Sequence, residues 1–148
     1  MESKYFEDMK VGDIFTTQGR TITETDLVNY VGLAGLFDPL FINREFATKQ
    51  SIFGKPIIPG PLTLVMSTGL ETLTGFPRYV IAFLGMDQVR ALKPVFINDT
   101  IHLDVEVVEK FETRRPDSGI TVVKYNTRNQ NGELVFTCLL TRMVAKRP

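Results

Sequence analysis

The sequence predicts an α+β domain in which an antiparallel sheet wraps around one buried helix. Three observations predict it. Residues 56–70, PIIPGPLTLVMSTGL, hold no charged residue, and a helix without a polar face has to be surrounded. Residues 101–108 alternate apolar and polar side chains, the period of a half-buried strand, and further strand patterns follow to residue 145. The length of 148 residues suits one domain with a core of its own.

Each element has a local reason. Residues 23–34, TETDLVNYVGLA, read as a helix. Thr23 followed by Asp26 fits a cap and an acidic first turn. Leu27, Tyr30, Val31 and Ala34 share one face, and Gly35, Asp38 and Pro39 end the pattern. Residues 41–59 read as irregular, apart from a short helix over 45–49. Pro61 stands where a first helical turn tolerates a missing N–H, so the helix runs over about 61–73 and is apolar or small on every side until Glu71. Strands follow at 79–84 and 87–95. Ile101, Leu103, Val105 and Val107 then alternate with His102, Asp104, Glu106 and Val108. The last two strands, 121–129 and 133–145, flank Gln130-Asn131-Gly132, a hairpin signal. The polar segment 112–119 joins two strands. No repeat, linker or low-complexity tract interrupts the chain.

Composition removes several function classes. Lys plus Arg is 17 and Asp plus Glu is 17, giving a formal charge of zero, which argues against nucleic acid as a partner. No apolar run approaches the roughly 20 residues of a membrane-spanning helix, and MESKYFEDMKVGD lacks the apolar stretch of a secretory leader. His102 and Cys138, the only histidine and the only cysteine, cannot by themselves build a zinc site, and no clustered-acid loop suggests magnesium or calcium. There is no glycine-rich phosphate loop and no GxSxG elbow. The expectation is a cytoplasmic protein with no resident metal or cofactor.

Blocks of residues then point to a family. FEDMKVGD (6–13), TITETDLVNYVGLAG (21–35), DPLF (38–41), FGKPIIPGPL (53–62), PVFINDTIHLDVEVVEK (94–110) and RNQNGELVF (128–136) occur in that order. Together they resemble the MaoC-like acyl dehydratases, which include the (R)-specific enoyl-CoA hydratases. The resemblance covers nearly the whole chain. It implies the hotdog fold, a curved antiparallel sheet wrapped around a long central helix. It also implies an acyl-CoA thioester as substrate, with CoA present only as part of it, and a homodimer with sites at the interface.

The family's loop motif reads D-x-N-P-x-H, and its Asp and His activate water for addition to an enoyl thioester. Aligned on Pro39, this sequence reads Leu36-Phe37-Asp38-Pro39-Leu40-Phe41. The Asp position falls on Leu36, the Asn position on Asp38 and the His position on Phe41. The acidic position two beyond the His falls on Asn43. Both members of the usual dyad are therefore missing. The second signature, usually I-x-H-G, reads Ile57-Ile58-Pro59-Gly60, which keeps the glycine and loses the histidine.

Hydration needs a base for water, an acid for the α carbon and donors for the thioester oxygen. Gly60 can supply the last through its backbone N–H at the start of the buried helix, besides making a tight turn before Pro61. Asp38 is the one carboxylate left in the loop. Its apolar neighbours in sequence would raise its pKa by desolvation and suit it to proton transfer, with Asn43 positioning water. It can equally open a turn before Pro39. Arg90 and Lys93 could pair with CoA phosphates or stand as solvated charges. Thr63, Ser67 and Thr68 either line an acyl tunnel or, as we favour, bond back to helix carbonyls. His102 is expected on the outward face of its strand, and Cys138 as a packing residue. The functions that fit, in order, are a hydratase or dehydratase with a site of Asp38, Asn43 and Gly60, a non-catalytic subunit serving an active partner, and a thioesterase.

Overall fold

The structure, a computed structural model, describes residues 4–74 and 79–148. The first residues of the N-terminal segment read above lie outside that range. The elements run β1 (Ile14–Thr16), β2 (Arg20–Thr21), α1 (Glu24–Ala34), α2 (Pro39–Ile42), α3 (Arg44–Lys49), α4 (Gly60–Thr72), β3 (Val80–Ala91), β4 (Thr100–Glu112), β5 (Ser118–Arg128) and β6 (Leu134–Ala145). The main sheet is antiparallel in the order β1-β4-β5-β6-β3, with β2 also paired to β4. The predicted arrangement, an antiparallel sheet curved around a mainly apolar central helix, is the one observed.

Alternation decides which side of the sheet the helix takes. Ile101, Leu103, Val105 and Val107 of β4 are fully buried, as are Val123 and Tyr125 of β5 and Val144 of β6. They meet Leu62, Met66 and Leu70 of α4 in one core. His102 pairs with Arg128 across the strands and falls on the opposite face, as expected. Cys138 is buried on the inner face, and desolvation pushes its thiol up to about 11.

Two expectations needed correction. The strands read at 79–84 and 87–95 are one strand, β3, whose pairing with β6 slips between Val80 and Ala82, Phe83 and Gly85, and Asp87 and Arg90. Such bulges break the period-two pattern that would have joined them. The central helix is also not covered all round. Val65 is 55% and Leu73 64% exposed, because the sheet cups only one side of α4.

The C-terminal end of α4 is locked by a charged cluster that the sequence did not disclose. Arg142 of β6 donates from Nη1 to Glu71 Oε2 at 2.6 Å and from Nη2 to Oε1 at 2.8 Å. The Tyr125 hydroxyl donates to the same Oε2. Both ions of the pair are buried. Burial, and then the charge of Glu71, raise the Tyr125 pKa, so the phenol stays neutral and remains a donor. Midway along the helix Ser67 Oγ meets Thr127 Oγ1 at 2.8 Å. Hydrophobic burial has no direction; these polar links fix how α4 is rotated against the sheet.

Breaking a buried pair strands a charge, which costs about 3–5 kcal/mol. Glu71→Gln is expected to lower stability by roughly that amount in urea denaturation. Glu71→Leu, Arg142→Met and Tyr125→Phe made together should recover most of the loss. A Glu71→Gln cost below about 1 kcal/mol would mean that the cluster is open to water.

Candidate active site at the start of the central helix

The loop carrying the family motif is set by α1. Thr23 Oγ1 accepts from the Asp26 N–H at 3.3 Å while Asp26 Oδ2 accepts from the Thr23 N–H at 2.8 Å, a reciprocal capping box. At the other end Gly35 takes φ 65°, a left-handed cap that glycine adopts without strain. Both ends of α1 thus match the sequence expectation to within a residue.

Beyond Gly35 the polar residues of the loop act as caps. Asp38 Oδ1 accepts from the Leu40 N–H at 2.8 Å and starts α2, with Pro39 next to it. Asn43 ends α2 and starts α3, its Oδ1 accepting from the Phe46 N–H at 3.0 Å. Asp38 is exposed. The desolvation expected from its sequence neighbours is not met in the single chain, because the cap turns the carboxylate outward while Phe41 packs against the core. The chain over 41–59 is more helical than expected, α2 and α3 being separated by Asn43 alone.

Gly60 is placed by an extended lead-in. Ile57 bridges Phe96, and the Ile58 N–H donates to Val95 O at 2.7 Å. Pro59 then caps α4 without a side-chain hydrogen bond. The first N–H groups of a helix have no intrahelical partner, and here their fates can be followed one by one. Pro61 has none. Leu62 and Thr63 turn back onto Pro59 O, at 2.9 and 3.4 Å. Gly60 N–H is left with no acceptor among the described residues.

Gly60 lines an open cleft of about 270 Å³, with Phe53, Ile58, Thr63, Val95 and Phe136 among its walls. A Cβ at residue 60 would meet Ala91 Cβ at 3.7 Å, an ordinary contact. Lys93 stands on the same cleft, its ammonium paired with the Glu133 carboxylate, and that hydrogen bond is the first cause holding Glu133 below the usual carboxylate range. An unbonded amide at the positive end of a 13-residue helix, on a residue that lines an apolar cleft, is suited to an oxygen that gains negative charge.

The structure brings Gly60, Thr63 and Lys93 to one cleft and leaves the other candidates outside it. Asn43 and Phe41 line a smaller neighbouring cavity. Arg90 lies away from Lys93, in a depression with Lys124 and Thr137, and donates to Val89 O at 3.0 Å, so the two cations do not form a single phosphate site. Ser67 and Thr68 bond back to Thr63 O and Val65 O, as favoured; Thr63 does not. Sequence reading also missed the Glu71–Arg142–Tyr125 cluster. Among the described residues, no group of His, Cys, Asp and Glu side chains could hold a metal ion, and no helix is long and apolar enough to cross a membrane.

A cupped antiparallel sheet around a central helix defines the hotdog fold, the architecture by which a solved structure of similar shape is also described. The chain belongs to the MaoC-like domain family, whose model matches residues 8–129. It is 41% identical to the monoamine oxidase regulatory protein of Archaeoglobus fulgidus, with a TM-score of 0.89 over 99% of this chain and 97% of that one. It is 38% identical over 101 residues to protein MaoC of Klebsiella aerogenes, covering 68% of this chain and 29% of that protein. It is 28% identical over 145 residues to the mesaconyl-CoA hydratase of Cereibacter sphaeroides, covering 97% of this chain and 42% of the hydratase. The chain therefore spans less than half the length of these last two relatives.

The capping box makes a pH prediction. The Asp26 carboxyl is held below its ordinary 3.8: burial works against this, and the bonds from Thr23 and the charge of Arg20 outweigh it. A depressed folded pKa adds stability that is present above the unfolded value and lost as pH falls through the folded one. Asp26→Asn should cost on the order of 1 kcal/mol at pH 7. The gap to wild type should close in acid, below 3.8, in parallel denaturation curves.

Proposed function

We propose that this chain is a hydratase or dehydratase of the MaoC type acting on an acyl-CoA thioester, with a variant active site. The observation that carries the reading is the unbonded amide of Gly60, a residue at the head of the central helix that lines an apolar cleft. A thioester carbonyl docked there gains a donor that strengthens as enolate charge develops, worth roughly 10²–10³-fold in rate. The hydratase named among the relatives supports the same reaction class.

Proton transfer falls to Asp38, with Asn43 orienting water. Asp38 Oδ1 is engaged as a cap and Oδ2 has no partner among the described residues, which leaves one carboxylate oxygen for a proton. The residue is exposed in one chain, and a second copy is the natural enclosure. The free edge of β3 and its exposed Ile81, Phe83 and Leu84 support a homodimer with the sites at its interface. Lys93 on the cleft rim, rather than Arg90, is the cation suited to the CoA phosphates. The single thiol, Cys138, unpaired and buried, fits a cytoplasmic setting.

A second reading has an observation of its own. Leu36 and Phe41 occupy the dyad positions, and the residues lining the cleft include no carboxylate or imidazole. Such a chain would shape the acyl pocket of an active partner subunit without turning over substrate itself.

Incubation with a panel of enoyl-CoA and acyl-CoA thioesters, followed by mass analysis, separates the readings. A 3-hydroxyacyl-CoA product supports hydration, free CoA identifies a thioesterase, and unchanged substrate favours the non-catalytic subunit. If hydration occurs, Gly60→Pro, which replaces the N–H by a ring carbon, should lower turnover by about 10²–10³-fold. Gly60→Ala keeps the donor and should stay within about tenfold of wild type. Asp38→Ala should lower turnover by roughly 10²–10⁴-fold, and unchanged turnover would remove Asp38 from the mechanism.

The dimer has a separate test. Phe83→Lys places a charge on the free edge and should shift the sedimenting species from dimer to monomer. A wild-type chain that sediments as a monomer at micromolar concentration would remove the interface from the reading.

A further inference from the structure

The thioester site of the proposed function has room for one more group. We propose that the Thr63 hydroxyl is a second hydrogen-bond donor to the thioester carbonyl oxygen, beside the Gly60 amide; this rests on the reading of that cleft as an acyl-thioester site.

The hydroxyls of α4 and its C-terminal end supply the contrast. Ser67 donates to Thr63 O at 2.8 Å and meets Thr127. Thr68 donates to Val65 O, Thr72 to Gly69 O and Thr74 to Glu71 O, each at 2.7 Å. Back-bonding of this kind is the ordinary fate of a hydroxyl on a helix. Thr63 is the exception. Its side chain makes no hydrogen bond among the described residues, although the residue is only 1% exposed. A nearby carbonyl that it could have reached, Pro59 O, already accepts from the Leu62 and Thr63 amides.

An unbonded hydroxyl inside a protein is uncommon and calls for an explanation. Among the described residues, the side-chain atoms both sealed from solvent and without a partner are Thr121 Oγ1 and Arg142 Nε. Thr63 Oγ1 also lacks a partner but is not one of these sealed atoms, and the residue lines the cleft. Residues three apart share a helix face, so Thr63 points the way a Cβ on Gly60 would, which is toward Ala91 and Phe136 in the wall of the cleft. Both line the same cleft.

The two groups together specify the ligand atom. An amide N–H can only donate, whereas a hydroxyl can donate or accept. An atom that meets both must accept, and an oxygen with two lone pairs can take one bond from each. A carboxylate would bring a full charge into apolar walls where Lys93 is already paired with Glu133. A neutral carbonyl brings none. Two donors preset on a rigid helix then stabilise the enolate oxygen more than the ground-state carbonyl.

The test measures binding, so it does not depend on turnover. Butyryl-CoA and S-butyl-CoA, which lacks the carbonyl, are titrated calorimetrically into wild type, Thr63→Val and Thr63→Ser. Thr63→Val should weaken butyryl-CoA by about fivefold to tenfold and leave S-butyl-CoA unchanged. Thr63→Ser should restore wild-type affinity. Because the hydroxyl has no partner in the free protein, Thr63→Val should melt at or above the wild-type temperature. Equal weakening of both ligands, no weakening of either, or a Thr63→Val protein that melts several degrees lower would overturn the assignment alone. A wild-type protein that binds neither compound would overturn the thioester reading of the cleft, and this assignment with it.

Discussion

The central helix sets the terms for everything else in this molecule. From residue 56 to residue 70 the chain carries no charge, so it can be stable only inside an apolar layer. The inward faces of β4, β5 and β6 supply that layer. Burying the helix creates a second problem at its start, where backbone N–H groups need acceptors. The chain answers it with prolines on either side of Gly60 and with turns back onto Pro59 O, and one amide is left over. That remainder is where the structure meets its ligand on the proposed reading. The constraint that makes the core and the feature that makes the site are two ends of one element.

Helix α4 also shows why an apolar helix needs polar fastenings. Leu62, Met66 and Leu70 give it affinity for the sheet but no fixed rotation. The Ser67–Thr127 contact and the Glu71–Arg142–Tyr125 cluster provide direction, one at mid-helix and one near the C-terminal end. A buried ion pair adds little net stability compared with apolar residues of the same volume. Its value here is geometric, since a small rotation of α4 would move the Gly60 amide out of the cleft.

What could be read from the sequence was local or periodic. The caps of α1 were legible because Thr23, Asp26 and Gly35 act within a few residues of themselves. The charge-free segment was legible because the absence of a polar face needs no partner to be noticed. The single strand β3 was not, because bulges around Gly85 and Gln88 break its alternation, and Gln88 takes a left-handed φ of 50°. The Glu71–Arg142 pair was not legible either, because its members are 71 positions apart. In the loop, sequence showed that Leu36 and Phe41 replace the dyad, but it suggested an apolar setting for Asp38. Neighbours along a chain are not neighbours around a carboxylate, and the cap at Leu40 turned this one outward. Thr63 was misread for a related reason: back-bonding is the general rule for hydroxyls on a helix, and only coordinates reveal the one that departs from it.

The site thus divides into a half that the fold maintains and a half that the loop has changed. The donor half is built from backbone and from a helix that the core cannot do without, so substitutions in the loop leave it intact. The acid–base half depends on side chains alone, and on the proposed reading Leu36 and Phe41 stand at its usual places. A preset donor contributes roughly 10²–10³-fold and each general acid or base roughly 10²–10⁴-fold. On the proposed reading, replacing the dyad would remove the larger share of catalysis and leave recognition of a thioester oxygen in place. Polarising that oxygen is a requirement shared by hydration, hydrolysis and simple presentation of an acyl chain to a neighbouring subunit. What separates hydration from hydrolysis is the carbon that water attacks, the β carbon in one and the carbonyl carbon with loss of the thiol in the other. Both need a base for that water, and on the proposed reading it is Asp38, whose carboxylate caps α2 at the surface.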